Sequence, residues 1–263
     1  MLNAEKQIIL TNIQYQKEAE SDQPNFILSS LHIDSRGTMK KRTAILTLSM
    51  FLAYILIGNF LHRFAFAEAE PDLSFYPAKG EMIENRFANE KIVFVTPGRD
   101  TNGKYSENDL YLQAKGAVPK PHRHADLEET FTILKGNLSL IKGDKKYDLK
   151  EGDSITVPKG EAHHPENKSD ALVIVRVRAT PAGKHDLMLA QVHGFFTEKE
   201  TPRGKVEWIL QAMLYSVYYE TYMAELPIGF QKFLSFLISP VARLLGYKSW
   251  YPEYSLKWKQ SAE

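Results

Sequence analysis

His122 and His124 stand one residue apart in PHRHADLEETFTILKG, residues 121–136, and three carboxylates, Asp126, Glu128 and Glu129, follow before an apolar alternation closed by a glycine. On an extended chain, side chains two apart leave by the same face, so both imidazoles project together. In the run that follows, Glu129 alternates with Phe131 and Ile133, which turns its carboxylate inward with the apolar residues. A buried carboxylate is costly unless it is paired or coordinates a metal. Asp126 and Glu128 carry no such argument and read as solvated loop charges.

A second stretch, GDSITVPKGEAHHPEN at 152–167, offers a further donor. Pro158 and Gly160 make a turn after a strand ending at Val157, and the chain resumes at His163. His163 and His164 are adjacent and cannot both face inward on one strand, so one is a donor and the other an exterior polar residue. Half of the eight histidines lie between positions 122 and 164, a concentration that scattered surface use does not explain. His185 and His193 have no partners at ligand spacing and read as structural. The chain has no cysteine, which removes thiolate ligands and disulfides and leaves any metal to imidazole, carboxylate or water.

These donors need a scaffold. From about Glu81 to Thr180 short period-two runs, among them KIVFVT, DLYLQA, ETFTIL, NLSLI, KYDL, DSITV and ALVIVRVR, are separated by Gly, Pro, Asn and Asp. Many short strands at turn-separated spacing predict an antiparallel sandwich or barrel. In ALVIVRVR, Val173, Val175 and Val177 share one face, and Arg176 and Arg178 the other. If the arginine face were the lumen, it would supply a cation for an acidic substrate; otherwise it is a solvated outer face. After about Thr197 the period becomes helical. VEWILQAMLYSVYYETYMAEL reads as helix up to Pro227. FQKFLSFLISPVARLLG reads as an amphipathic helix interrupted at Pro240 and capped near Gly246, with Gln231, Lys232, Ser235 and Arg243 on its polar side. Both helices are expected to pack on the barrel or pair with a second subunit as a homodimer.

The 33 Lys and Arg balance 32 Asp and Glu, so no global field draws the chain to nucleic acid, and a nucleic-acid role has no support. Residues 39–67 begin with Lys40, Lys41 and Arg42, continue as an apolar run over 44–61, and end in Ala65-Phe66-Ala67. That is the layout of an export signal cleaved after Ala67, or of an uncleaved membrane anchor with the basic residues inside. Either sends the remainder out of the cytoplasm, as a periplasmic or outward-facing protein. A signal ordinarily begins the chain, so translation is expected to start at Met39, with residues 1–38 a non-native or disordered leader. The expected organisation is thus leader 1–38, signal or anchor 39–67, linker 68–80, barrel 81–198 and helical tail 199–263.

The spacing Gly116, five residues, His122-Arg123-His124, four residues, Glu129, six residues, Gly136 resembles the first signature motif of the cupin superfamily. Gly152, five residues, Pro158-Lys159-Gly160, two residues, His163, three residues, Asn167 resembles the second. The resemblance covers roughly positions 80–180. It implies a small antiparallel jelly-roll barrel; the C-terminal α-helical extension and the signal or anchor helix before the barrel rest on the periodicity and composition given above. It implies His122, His124, Glu129 and His163 as ligands of one divalent transition metal ion, Fe, Mn, Ni, Co, Cu or Zn, and so selects His163 over His164. The subclass it resembles most is the quercetin-dioxygenase-like proteins. A small oxygenated organic substrate would then bind at the metal, with Glu129 taking the substrate proton. A metal-dependent sugar or keto-acid isomerase and a non-catalytic small-molecule-binding module are the alternatives, since the barrel hosts many chemistries.

Overall fold

The structure, a computed structural model, describes residues 35–118, 120–199 and 204–256. Apart from its last four residues, the leader expected over 1–38 lies outside them. The described residues divide into two compact units, one up to Leu56 and one from Ile57 onward. Helix α1 (Ser35–Phe60) runs into a π-helical turn at Leu61–Ala65. Met39–Ala65, 27 residues, is long and apolar enough to cross a bilayer, as a signal sequence or an anchor would be.

The rest is built from two antiparallel sheets and a helical layer. Strands β1 (Met82–Asn85), β2 (Glu90–Thr96), β3 (Ser106–Leu112), β4 (His122–His124) and β5 (Glu128–Lys135) are followed by β6 (Asn137–Lys142), β7 (Lys145–Lys150), β8 (Ser154–Val157), β9 (His163–Glu166) and β10 (Val173–Thr180). Helices α2 (His185–Thr197) and α3 (Lys205–Tyr218), strand β11 (Thr221–Met223), and helices α4 (Ile228–Leu244) and α5 (Pro252–Leu256) complete the order. One sheet runs β1-β2-β3-β10-β5-β8 and the other β11-β4-β9-β6-β7, the two walls of a jelly roll.

Period-two patterning becomes the core directly. Phe131 and Ile133 of β5, Val173, Val175 and Val177 of β10, and Leu110 and Leu112 of β3 meet in one buried cluster between the sheets. Arg176 and Arg178 lie on the outer face of β10, so the lumen gains no cation from them. Arg176 makes a two-pronged bond to Asp109 at 2.8 and 2.9 Å, and Arg178 reaches Glu107 at 3.3 Å. The motif glycines and Asn167 have mechanical work. Gly160, at φ +76°, donates its N–H to the carbonyl of His124 at 2.6 Å, tying the two motif segments together. Asn167 Nδ2 bonds the carbonyls of Leu112, Gln113 and Ala171, closing the far end of the same sheet walls.

The tail departs from expectation in three ways. The helix expected through to Pro227 ends at Tyr218; Glu220 takes a positive φ of 48°, and Thr221–Met223 becomes a strand paired antiparallel with β4. A helix appears at His185–Thr197, where Leu187, Met188 and Phe195 join Tyr215, Tyr219 and Tyr254 in a second core. Helix α4 is amphipathic but turned over: Gln231, Ser235 and Ser239 are buried, whereas Phe233 and Leu244 are 54% and 63% exposed. Gln231 explains the inversion. Its amide accepts from the N–H of Met223 and donates to the carbonyls of Met223 and Leu226, closing the turn that follows β11. The three hydrogen bonds require it inside. Pro240 lies within α4, and Gly246 at φ +89° follows its end.

Candidate metal centre

Strand pairing assembles the donors. His122 of β4 sits opposite His163 of β9, while Glu129, the second residue of β5, pairs with Val157 of β8 in the facing sheet. One ligand atom from each of His122, His124, Glu129 and His163 falls within 4.8 Å of every other. His124, Glu129 and His163 are 3%, 5% and 2% exposed, so no water shell solvates them. Asp126 is exposed and stays out of the group. His164 faces the opposite way, with Nε2 at 2.7 Å from the carbonyl of Val118 and Nδ1 at 3.2 Å from Glu166.

Neighbouring groups fix which ring nitrogen of each histidine is free. His122 Nδ1 lies 2.9 Å from the carbonyl of Lys120, and His163 Nδ1 3.3 Å from that of Glu161. A carbonyl only accepts, so both rings carry their proton on Nδ1. His124 Nδ1 lies 2.9 Å from the hydroxyl of Thr221, which already donates its own proton to the carbonyl of Tyr219 at 3.1 Å. The hydroxyl must accept from His124, and this ring too carries Nδ1–H. All three imidazoles therefore present a bare Nε2 lone pair.

The remaining partners are carboxylate oxygens. Glu129 Oε2 is 3.3 Å from His124 Nε2 and 2.7 Å from His163 Nε2, yet all three atoms are buried without a hydrogen-bond partner. Acceptors crowded around one point repel unless a cation lies among them. Three neutral imidazole nitrogens and one carboxylate oxygen match Fe, Mn, Ni, Co, Cu or Zn, so the donor set fits a divalent transition metal.

Electrostatics runs the same way. Burial, reinforced by the adjacent His163 and His124, pushes His122 well below the ordinary histidine value, and burial lowers His124 against the pull of Glu129. Burial would raise the Glu129 carboxyl, but the surrounding imidazoles outweigh it and hold the group well below the usual carboxylate range. The His122 and His124 rings are thus favoured neutral and the Glu129 carboxylate ionised, the forms that ligate.

His185, read from sequence as structural, belongs to the site. It begins α2, is 3% exposed, and places Nε2 3.2 Å from Glu129 Oε1. Burial would lower its pKa, but the Glu129 contact outweighs that and raises it. With Oε1 engaged by His185, Oε2 is the oxygen left for the cluster. The missed signal was the helical spacing of Leu189, Val192 and Phe196 between and beyond His185 and His193, which marks them as one helix side. Thr221 was missed because it was assigned to a helix.

The cluster lies in the wall of a cavity of about 140 Å³ lined by residues of both sheets, α2 and α3. Ile92, Leu110, Phe131, Val177, Met188 and Leu189 give most of it an apolar surface.

Residues 110–177 match the family model described as "Cupin domain". An uncharacterized protein of Aquifex aeolicus is 42% identical over 57 residues, covering 22% of this chain and 47% of that one. The oxidoreductase OpS7 of Beauveria bassiana is 25% identical over 177 residues, covering 54% of this chain and 58% of its own. The chain thus spans about half the length of the curated relatives it matches. A crystal structure of a sugar phosphate isomerase from a cupin superfamily, from Silicibacter pomeroyi, aligns over 43% of this chain and 75% of its own at 19% identity, with a TM-score of 0.33. The jelly roll, the pairing of motif strands β4 and β9 in one of its walls and the family match agree: residues 110–177 of the chain form a cupin domain.

Proposed function

We propose that this protein is a metal-dependent dioxygenase-like enzyme acting on a small, largely apolar substrate that carries an acidic hydroxyl, a phenol or an enol. The observation that carries this reading is the set of bare Nε2 atoms and Glu129 Oε2 converging in the wall of an apolar cavity. A divalent ion there would supply Lewis acidity and a site for substrate oxygen and O2. His122, His124, Glu129 and His163 would hold it, with Thr221 and the carbonyls of Lys120 and Glu161 orienting the rings.

Glu129 is held ionised, so it can accept the substrate proton at Oε2 while His185 steadies Oε1. An enol or phenol held by a divalent ion would give up its proton more readily than a simple alcohol, which favours that class. Both atoms of O2 enter the product, so no external reductant is consumed. The apolar lining favours this class over a sugar, whose several hydroxyls would go unpaired against Ile92, Leu110 and Phe131. That the Beauveria bassiana relative is named an oxidoreductase is in keeping with this choice.

We propose in addition that Met39–Ala65 exports the barrel and holds it at the outer face of a membrane, with Lys40, Lys41 and Arg42 on the cytoplasmic side. Oxygen uptake with an enolisable aromatic diketone, lost in Glu129→Ala and His122→Ala, tests the catalytic reading. Turnover of the same substrate under nitrogen would refute it in favour of an isomerase.

A further inference from the structure

Helix α2 acts as a ruler along the cavity. His185, Met188, Leu189, Val192, His193 and Phe196 all line it, and His185 and His193 are eight residues apart, about 12 Å along a helix axis. His185 touches Glu129 of the metal cluster. His193, a little over two helical turns away, meets a different carboxylate: its Nε2 is 3.3 Å from Oε2 of Glu90, a residue of β2 on the cavity wall.

This second pair is buried as deeply as the first. His193 and Glu90 are each 3% exposed, both line the cavity, and neither His193 Nε2 nor Glu90 Oε2 has a hydrogen-bond partner. The ring's other nitrogen, Nδ1, lies 2.9 Å from the carbonyl of Leu189 and so carries the proton. Nε2 is then an acceptor, and it faces a second acceptor across 3.3 Å. Two buried acceptors side by side call for a donor. Asn108 supplies the complementary group further along the same wall: it is 2% exposed, lines the cavity, and leaves Nδ2 unpartnered.

We infer that Glu90 and His193 form a distal subsite that binds a hydroxyl group at the far end of the ligand. The ligand class is an elongated apolar molecule, an aryl or alkyl body, with an acidic hydroxyl or enol at the Glu129 end and a second hydroxyl about 12 Å of helix away. The distal O–H donates to Glu90 Oε2 or His193 Nε2, a need that an apolar end cannot meet. The inference rests on the proposed metal-site reading only for which end of the ligand enters first.

The test uses full-length, metal-loaded protein under nitrogen, with 1-(4′-hydroxybiphenyl-4-yl)butane-1,3-dione and its deoxy analogue 1-(biphenyl-4-yl)butane-1,3-dione as probes and calorimetric Kd as the readout. The subsite predicts that the hydroxylated probe binds at least about tenfold tighter, because its analogue leaves buried acceptors unpaired. Replacing both acceptors in Glu90→Leu/His193→Leu leaves neither stranded; it should bring the ratio to about one with metal content unchanged. Glu90→Gln, which preserves shape, should lower the ratio if the double variant does not fold. Equal affinities in the wild type, no binding of either probe, or a ratio untouched by the variants that fold would overturn the inference. Failure of the metal reading appears separately, as affinities that do not change on chelation while the hydroxyl ratio persists.

Discussion

Thr221→Val is the substitution that most sharply separates a ligand cluster from a set of packed polar residues. Thr221 does not reach the cluster's centre; its hydroxyl accepts the Nδ1 proton of His124 at 2.9 Å and so fixes the tautomer that bares Nε2. Valine keeps the volume and removes the acceptor. In metal-free protein the change strands a buried N–H on a ring that is 3% exposed, a desolvation cost of about 1–3 kcal/mol. If the ring serves as a ligand, the loss of its outer partner should weaken metal binding a further ~10–100-fold, or about 1.4–2.8 kcal/mol. Denaturant melts of chelated protein measure the first quantity, and competition against a chelator of known affinity measures the second. Thr221→Ser, which restores a hydroxyl, should recover most of both. Metal affinity within twofold of wild type in a folded Thr221→Val protein would refute the role given to His124.

Chelated protein should lose stability on acidification: unfolded imidazoles protonate near 6.5 and carboxylates near 4.5, whereas folded His122, His124 and Glu129 resist to lower pH. The unfolded chain then binds more protons, so stability falls from about pH 6.5 downward. His185 has the opposite sign, its raised pKa giving stability present below 6.5 and lost as pH rises through the folded value; one such group against three leaves the acid-side loss dominant, which denaturant titrations across pH would show, and a flat profile would contradict. Arg176→Leu should leave metal content unchanged and cost no more than about 1 kcal/mol, because its pair with Asp109 is on the outer sheet face and partly solvated; loss of metal in that variant would place the arginine's influence inside the barrel after all.

The barrel was readable because its signal is local. Alternation in ETFTIL and ALVIVRVR states which side of each strand is buried, and Glu129 falling in phase with Phe131 sufficed to put a carboxylate inside. The tail was not readable in the same way. Gln231 and Ser235 look like a solvent face by polarity, yet Gln231 is buried by three hydrogen bonds to a turn whose existence depends on β11 pairing with β4. That pairing joins Thr221 to His124 across 97 positions of chain, a distance over which no periodicity speaks. His185 and His193 failed for the same reason: each meets its carboxylate only through tertiary packing of α2 on the sheets.

The central claim is that four side chains from two separated segments share one divalent ion. Elemental analysis of protein isolated from its own host, paired with His122→Ala and Glu129→Ala variants, tests it most directly. The account predicts close to one equivalent of a transition metal in the wild type, loss of most of it in either variant, and X-ray absorption showing imidazole nitrogen and carboxylate oxygen around the ion. Natively isolated protein that is empty and takes up no transition metal, or variants that keep it in full, would contradict the claim.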